Sequence, residues 1–114
     1  MELKRVVVTG LGALTPVGNN VAETWDNLVK GVSGAGPITH FDASKFKTHF
    51  ACEVKNFNGT DYIDRKELRK MDLYTQYAIA AAKEAVEDSG MDLEKEDLNR
   101  IGVIYGVGIG GVYT

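Results

Sequence analysis

Two apolar runs, each followed by glycines, are the clearest features of the hydrophobic pattern. Residues 6–8 are all valine and lead into a turn at residues 10–12, and residues 101–105 lead into a glycine-rich stretch. A run in which neither alternate set of side chains is polar is typical of a strand buried on both faces. The pattern therefore predicts two buried strands, each ending in a glycine turn.

A short amphipathic helix is predicted between them. Asn20 is a good N-cap and Glu23 completes a capping box, while Gly31 follows the last apolar position and ends the helix. The apolar residues fall at i, i+4, i+7 and i+8, which forms one stripe along a helix. They are Val21, Trp25, Leu28 and Val29.

A third strand and a long second helix complete the expected order. Apolar and polar residues alternate from Phe50 to Lys55, which is the period of a half-exposed strand. A helix then starts at Asp64 and runs for about 25 residues to Gly90, with alanines on the face that meets the sheet. The predicted order is β-α-β-α-β, with right-handed crossovers, in an α/β fold.

Composition indicates a folded, soluble domain. Hydrophobic residues make up 44% and charged residues 25% of the 114 positions, and no apolar run approaches the roughly 20 residues of a membrane span. The amino terminus has no apolar signal region, and the lone cysteine is compatible with a reducing compartment, so we expect a cytoplasmic protein with no membrane association. The net charge of −3 gives no reason to expect nucleic acid as a partner.

The second glycine turn contains a weak nucleotide-binding motif. Gly106, Gly108 and Gly111 satisfy G-x-G-x-x-G after a predicted strand, which is the pattern that holds a dinucleotide pyrophosphate. That function also needs a helix directly behind the glycines and an acidic residue about 20 positions later. Neither is found in this sequence, so close backbone packing is the favoured interpretation and a small dinucleotide-binding domain remains an alternative.

The residues that most resemble catalytic or metal-binding groups are not interpreted as such. Cys52 lies inside an alternating strand, followed by the acidic Glu53, whereas a nucleophilic cysteine is activated on a strand-to-helix turn. We expect a packed thiol there. His40 and His49 have no helical i, i+4 spacing with each other or with Cys52, so we predict no metal site and hydrogen-bonded or solvated histidines.

A basic cluster is the remaining candidate for function. Lys66, Arg69 and Lys70 fall at i, i+3 and i+4, which places them on one face in the first turns of the predicted long helix. Such a cluster is most often only a solvated face. On a chain with a pI near 5.3, it could also attract an acidic partner. A non-enzymatic binding module is therefore a second alternative.

The stretch from residue 5 to residue 18, RVVVTGLGALTPVG, closely resembles the amino-terminal segment of the β-ketoacyl-[acyl-carrier-protein] synthases, type II in particular, among the thiolase-like condensing enzymes. The resemblance implies that residues 1–114 are the amino-terminal part of a β-ketoacyl synthase domain. Its expected fold is α/β, the β-α-β-α-β start of the first half of a thiolase-like αβαβα fold. It also implies a homodimer and no cofactor.

The same resemblance implies a function in fatty acid elongation. Such enzymes catalyse decarboxylative Claisen condensation of an acyl thioester with malonyl-acyl carrier protein. Their catalytic cysteine and histidines come later in the chain than residue 114, so no catalytic residue is expected here. Gly108 and Ile109 correspond to the wall of the acyl pocket, and Ile109 to a residue that partly gates it. Lys66, Arg69 and Lys70 correspond to residues that dock the acidic acyl carrier protein.

Overall fold

The computed structural model describes residues 1–112; Tyr113 and Thr114 lie outside the described residues. The elements are three helices, one two-stranded sheet and two single turns of 3₁₀ helix. In chain order they are α1 (Val21–Val29), β1 (Ala35–Pro37), β2 (Phe50–Cys52), the turn Gly59–Asp61, α2 (Arg65–Leu68), α3 (Leu73–Ser89) and the turn Leu98–Arg100. Residues 13–58 form one compact unit, and residues 1–12 with those from 59 onward form another.

Helix α1 begins and ends where the sequence predicts. The Asn20 Oδ1 atom accepts a hydrogen bond from the Glu23 N–H at 2.8 Å, as expected of an N-cap. In a standard capping box the Glu23 carboxylate would accept a hydrogen bond from the N–H of the N-cap, Asn20. Here it accepts from the N–H of the preceding residue, Asn19, at 3.0 Å. The helix ends before Gly31, whose φ of +70° suits glycine.

The apolar stripe of α1 faces outward in the structure. Trp25 and Val29 are 67% and 70% exposed, whereas Thr24 and Asn27 are half-buried. The polar side of α1 is half-buried because it binds the preceding loop. The Asn27 side-chain amide donates to the Val17 carbonyl at 2.6 Å, and the Thr24 hydroxyl lies 3.1 Å from the Thr15 hydroxyl. Hydrogen bonding, and not apolar burial, therefore fixes this helix within residues 13–58.

The predicted strand at Phe50–Cys52 is confirmed, but its partner was not expected. It pairs in antiparallel register with Ala35–Pro37, a segment whose glycine and proline are typical of a loop. The two faces are also reversed, since Phe50 is 65% exposed and Ala51 is half-buried. The alternation predicted the strand correctly, but it did not show which face the rest of the unit would cover.

The first glycine turn, residues 10–12, packs against α3, which belongs to the same unit. A Cβ atom on Gly10 would lie 2.6 Å from the Ser89 nitrogen, and one on Gly12 would meet the carbonyl group of Ala81. The Leu11 N–H donates to the Asp88 carboxylate at 2.9 Å. Only glycine allows the backbone to approach the helix this closely, so close packing explains the glycines at these two positions.

The two outer strands of the predicted order do not form. Residues 6–8 and 101–105 have no strand pairing, and Val6 and Ile104 are 89% and 98% exposed. A strand buried on both faces needs a hydrogen-bonded neighbour and cover on each side, and the structure supplies neither to these segments. The observed order is therefore α-β-β-α-α, not β-α-β-α-β.

The predicted long helix is broken into α2 and α3. Arg69 is the C-cap of α2, and Asp72 adopts an extended conformation (φ −66°, ψ 159°) as the N-cap of α3. The Asp72 carbonyl accepts hydrogen bonds from the amides of Thr75 and Gln76, which starts a new helix. The break places Arg69 at a helix carboxyl end, where the dipole favours a cation, whereas one long helix would hold it near the positive end.

Among residues 1–112, no helix combines the length and the apolar character required to cross a bilayer.

Candidate functional site

The basic cluster predicted from the sequence lies at the break between α2 and α3. Lys66 is in the first turn of α2, Arg69 caps its carboxyl end and Lys70 follows in the turn. All three side chains are exposed. The Asp64 carboxylate caps α2 by accepting from the Lys66 N–H at 2.8 Å, which fixes the backbone on which the cluster is built.

A fourth cation, Arg65, belongs to the same surface and was missed by the sequence analysis. It is exposed and directly precedes Lys66. Its i, i+4 separation from Arg69 was a readable signal, because residues four apart are neighbours on a helix surface. We call residues 65–70 the basic segment; it carries four cations and one carboxylate.

The single carboxylate of the basic segment is paired with one of its cations. The Lys70 ammonium lies 2.9 Å from the Glu67 carboxylate, with an i, i+3 separation. Lys66 and Arg69 have no ion pair with any residue from 1 to 112. The segment therefore presents free positive charge at a solvent-exposed turn, an arrangement suited to a negatively charged macromolecular partner.

The two residues predicted to line an acyl pocket are exposed in this structure. Ile109 is 86% exposed, and a Cβ on Gly108 would meet no atom within 4 Å. Gly110 and Gly111 have positive φ values of 60° and 56°, so the chain turns sharply just after Ile109.

An apolar groove of about 350 Å³ lies between α3 and residues 103–105, which belong to the second predicted buried strand. One wall is made by side chains of α3, three of them alanines, and the other by residues 103–105. The α3 residues are Thr75, Ala78, Ile79, Ala81 and Ala82. Gly108 and Ile109 do not line this groove. It lies between elements that the sequence predicted to pack as helix on strand.

The dinucleotide-binding alternative finds no support in the geometry. Within residues 106–112 no helix begins behind the glycines, whereas that function uses a helix amino terminus to direct amides at a phosphate. The positions of Gly106 and Gly108 are open rather than closely packed, which also differs from the packing role expected for this turn.

Cys52 is on a strand, as expected, but it is exposed and not packed. No helix follows it directly in the chain, since the next element is the turn Gly59–Asp61, so Cys52 does not lie on a strand-to-helix turn. No cluster of three or more metal-ligating side chains is found in the described part of the chain.

The carboxylate of Glu53, next to Cys52, is held by hydrogen bonds within residues 13–58. It accepts from the Thr39 hydroxyl at 2.8 Å and from the Thr39 N–H at 3.1 Å, and the His40 Nε2 atom lies 3.7 Å away. These hydrogen bonds lower the pKa of Glu53 below its ordinary value of 4.5, and the bond from the Thr39 hydroxyl has the largest effect. A carboxyl group whose pKa is lowered in the folded protein stabilises the fold at pH values above its ordinary pKa. This stabilisation is lost as the pH falls through the lowered pKa.

Replacing Thr39 with valine should raise the pKa of Glu53 toward 4.5, because the hydroxyl donor is lost while the backbone donor stays. An NMR titration of the side-chain carboxyl carbons measures this directly. The pKa of Asp42, which is lowered by a hydrogen bond from the Ser44 N–H, should not move and serves as the internal control. An unchanged Glu53 titration would show that Thr39 does not hold this carboxylate in solution.

Lys55 joins three loop segments of the same unit and was not expected from the sequence. Its ammonium donates to the carbonyls of Pro16, Gly34 and Glu53 at 3.1, 2.7 and 3.0 Å. A polar groove of about 280 Å³ borders this clamp. Because all three N–H donors of Lys55 are used internally, we interpret the clamp as structural and not as a binding site.

Comparison with known proteins gives a consistent result. The family model "Beta-ketoacyl synthase, N-terminal domain" matches residues 3–114. The 3-oxoacyl-[acyl-carrier-protein] synthase 2 of Staphylococcus aureus strain COL is 54% identical over 111 residues, covering 97% of this chain and 27% of the relative. The Vibrio harveyi protein of the same name is 51% identical over 112 residues, covering 98% and 27%. The chain thus spans about a quarter of the length of these curated relatives.

Two solved structures show a similar fold. The ishigamide ketosynthase/chain length factor superposes with a TM-score of 0.71 at 41% identity, covering 77% of this chain and 22% of that one. A type II PKS ketosynthase in complex with its acyl-carrier protein gives a TM-score of 0.63 at 32% identity, covering 82% and 24%. Over most of its length the chain therefore shares the fold of ketosynthases, which is thiolase-like.

Proposed function

This chain belongs to the beta-ketoacyl synthase family, and we propose that it forms the amino-terminal part of a 3-oxoacyl-[acyl-carrier-protein] synthase that elongates fatty acids. The observation that carries the proposal is 54% identity to such a synthase over 97% of the chain. The proposal includes a cytosolic homodimer that needs no cofactor. It also includes the β-α-β-α-β order as the arrangement of this segment within the complete synthase sheet.

The reaction is a decarboxylative Claisen condensation. A cysteine thiolate attacks the acyl thioester, and the carrier thiol leaves. The malonyl thioester then loses CO₂, and the resulting carbanion attacks the acyl-cysteine carbonyl, which releases the thiolate and forms the 3-oxoacyl product. In this proposal the cysteine and two histidines lie outside residues 1–114. The segment supplies scaffold, with Gly108 and Ile109 at the acyl-pocket wall.

The basic segment is the part of this chain that we assign to the carrier protein. Lys66, Arg69 and Lys70 are exposed on one turn, and one of the superposed ketosynthases is in complex with an acyl-carrier protein. Neither the small dinucleotide-binding domain nor the non-enzymatic binder is favoured, because the family match covers nearly the whole chain.

The assignment of Cys52 as non-catalytic gives the first test. The isolated 114-residue chain should neither condense acyl and malonyl thioesters nor gain an acyl group on Cys52 when it is incubated with acyl-carrier protein. In the complete synthase, Cys52→Ala should keep the wild-type turnover, because the thiol lies on a strand and not on a strand-to-helix turn. Intact-mass spectrometry and a condensation assay measure the two outcomes.

Alkylation by iodoacetamide is the control for access. Cys52 is exposed, so the reagent should label it, and the absence of an acyl adduct then reflects low reactivity and not burial. A stoichiometric acyl adduct on Cys52, or a folded Cys52→Ala synthase without activity, would contradict the proposed function.

A further inference from the structure

The Glu67–Lys70 ion pair divides the basic segment into free and occupied cations. The Lys70 ammonium lies 2.9 Å from the Glu67 carboxylate, and the two side chains are 69% and 51% exposed. Arg65, Lys66 and Arg69 form no ion pair within residues 1–112. The segment therefore holds one of its four cations in an internal contact.

This contact is built into the backbone of the turn. The Glu67 N–H donates to the Asp64 carbonyl at 3.0 Å, and the Lys70 N–H donates to the Glu67 carbonyl at 3.0 Å. Leu68, between them, is half-buried, and its side chain lies against Gly59. Because the turn is anchored at both ends, the Glu67 and Lys70 side chains stay within reach of each other.

We propose that Glu67 limits the affinity of the basic segment for an acidic protein partner by competing for Lys70. The inference rests on the proposed carrier-docking function. A partner carboxylate that binds Lys70 must first displace Glu67, which lowers the net gain from that contact. An exposed ion pair is only weakly favourable, so displacement is possible and its effect on affinity is small. A synthase that binds and releases a carrier protein in each cycle gains faster release from this competition.

The test is a double-mutant cycle in the complete synthase. Glu67→Gln, which keeps the length of the side chain, should lower the Kd for acyl-carrier protein about threefold at low salt, or roughly 0.7 kcal/mol. Lys70→Gln removes the group for which Glu67 competes. In that background Glu67→Gln should change the Kd much less. Isothermal titration with acyl-carrier protein measures all four affinities.

The cycle separates competition from simple repulsion. If Glu67 acted only by repelling an acidic partner, its removal would strengthen binding equally in both backgrounds, and the inference would be overturned. An unchanged Kd for Glu67→Gln would overturn it as well. Asp92→Asn is the matched control, because Asp92 pairs with Lys95 at 3.3 Å with the same i, i+3 spacing outside the basic segment. We expect no change in Kd for that variant.

The charge reversal of Lys66, Arg69 and Lys70 tells the two proposals apart. If reversing Lys66, Arg69 and Lys70 weakens carrier binding but Glu67→Gln has no effect, docking stands and only the competition fails. If the reversal itself has no effect, the docking assignment is wrong and the role of Glu67 falls with it.

Discussion

Replacing Lys66, Arg69 and Lys70 with glutamate in the complete synthase should raise the KM for carrier-linked substrates at least tenfold. All three side chains are exposed on the turn around α2, so their replacement reverses the local field without disturbing a core. A tenfold change corresponds to about 1.4 kcal/mol, which like-charge repulsion across a docking surface can supply. Steady-state kinetics with acyl-carrier protein as the varied substrate measures the effect.

Two controls identify the cause of that change. Turnover with a small pantetheine thioester, which does not need the docking surface, should change little. A second triple reversal at the exposed lysines 45, 47 and 95 alters the net charge equally and should leave the KM close to wild type. The wild-type preference for the carrier substrate should also weaken with salt, because the Debye length falls from about 10 Å at 0.1 M to about 3 Å at 1 M.

Two other outcomes for the triple variant would contradict a role in docking. If the triple variant loses activity on both substrates alike, these residues serve folding and not docking. If it loses neither, the basic segment is only a solvated surface.

Replacing Gly12 with alanine should destabilise the unit that contains α3 by about 2–3 kcal/mol. The new Cβ atom would meet the Ala81 carbonyl group, and since backbone atoms cannot rotate away, the segment or the helix must shift. Gly10→Ala should have a similar effect through Ala85 and Ser89. Urea denaturation of the chain, followed by far-UV circular dichroism, reports the unfolding of α3.

Gly36 provides the matched control for this substitution. It lies in β1, has ordinary backbone torsions and would place a Cβ atom in open space, so Gly36→Ala should change stability by less than about 0.5 kcal/mol. Equal midpoints for Gly12→Ala and the wild type would show that residues 10–12 do not lie against α3 in solution.

Local sequence signals predicted the elements that depend on local interactions. Asn20 and Glu23 set the start of α1 through hydrogen bonds within a few residues, and the prediction is confirmed. The break at Asp72 was readable because aspartate is a poor interior helix residue and a favoured N-cap, although its side chain makes no cap hydrogen bond to α3. The interpretation of residues 64–90 as one continuous helix was wrong there.

Pairing between distant segments was much less predictable. The alternation from Phe50 identified a strand but not its partner, because Ala35–Pro37 carries residues typical of a turn. The apolar runs at residues 6–8 and 101–105 indicate that these residues need cover on two faces. They do not indicate whether a neighbouring element supplies that cover. Both runs stay exposed in this structure.

The candidate site was predictable in composition but not in detail. The charge and spacing of Lys66, Arg69 and Lys70 identified the surface, but Arg65 was not included, although it is i, i+4 from Arg69. The assumed long helix hid the turn geometry. The i, i+3 separation of Glu67 and Lys70 was a readable signal for their ion pair. The exposure of Ile109 was not readable, because it depends on contacts from elsewhere in the fold.

The clamp at Lys55 has a consequence for engineering the surface of this protein. The residue is exposed, so a redesign that adjusts net charge would treat it as freely replaceable. Its three N–H groups diverge to three carbonyls, a geometry that the planar fork of arginine does not reproduce. Acetylation of the Lys55 Nζ atom would leave one N–H group, so two of those carbonyls would lose their hydrogen-bond donor. This solvent-facing lysine should therefore be held constant when the other exposed lysines are varied or chemically labelled.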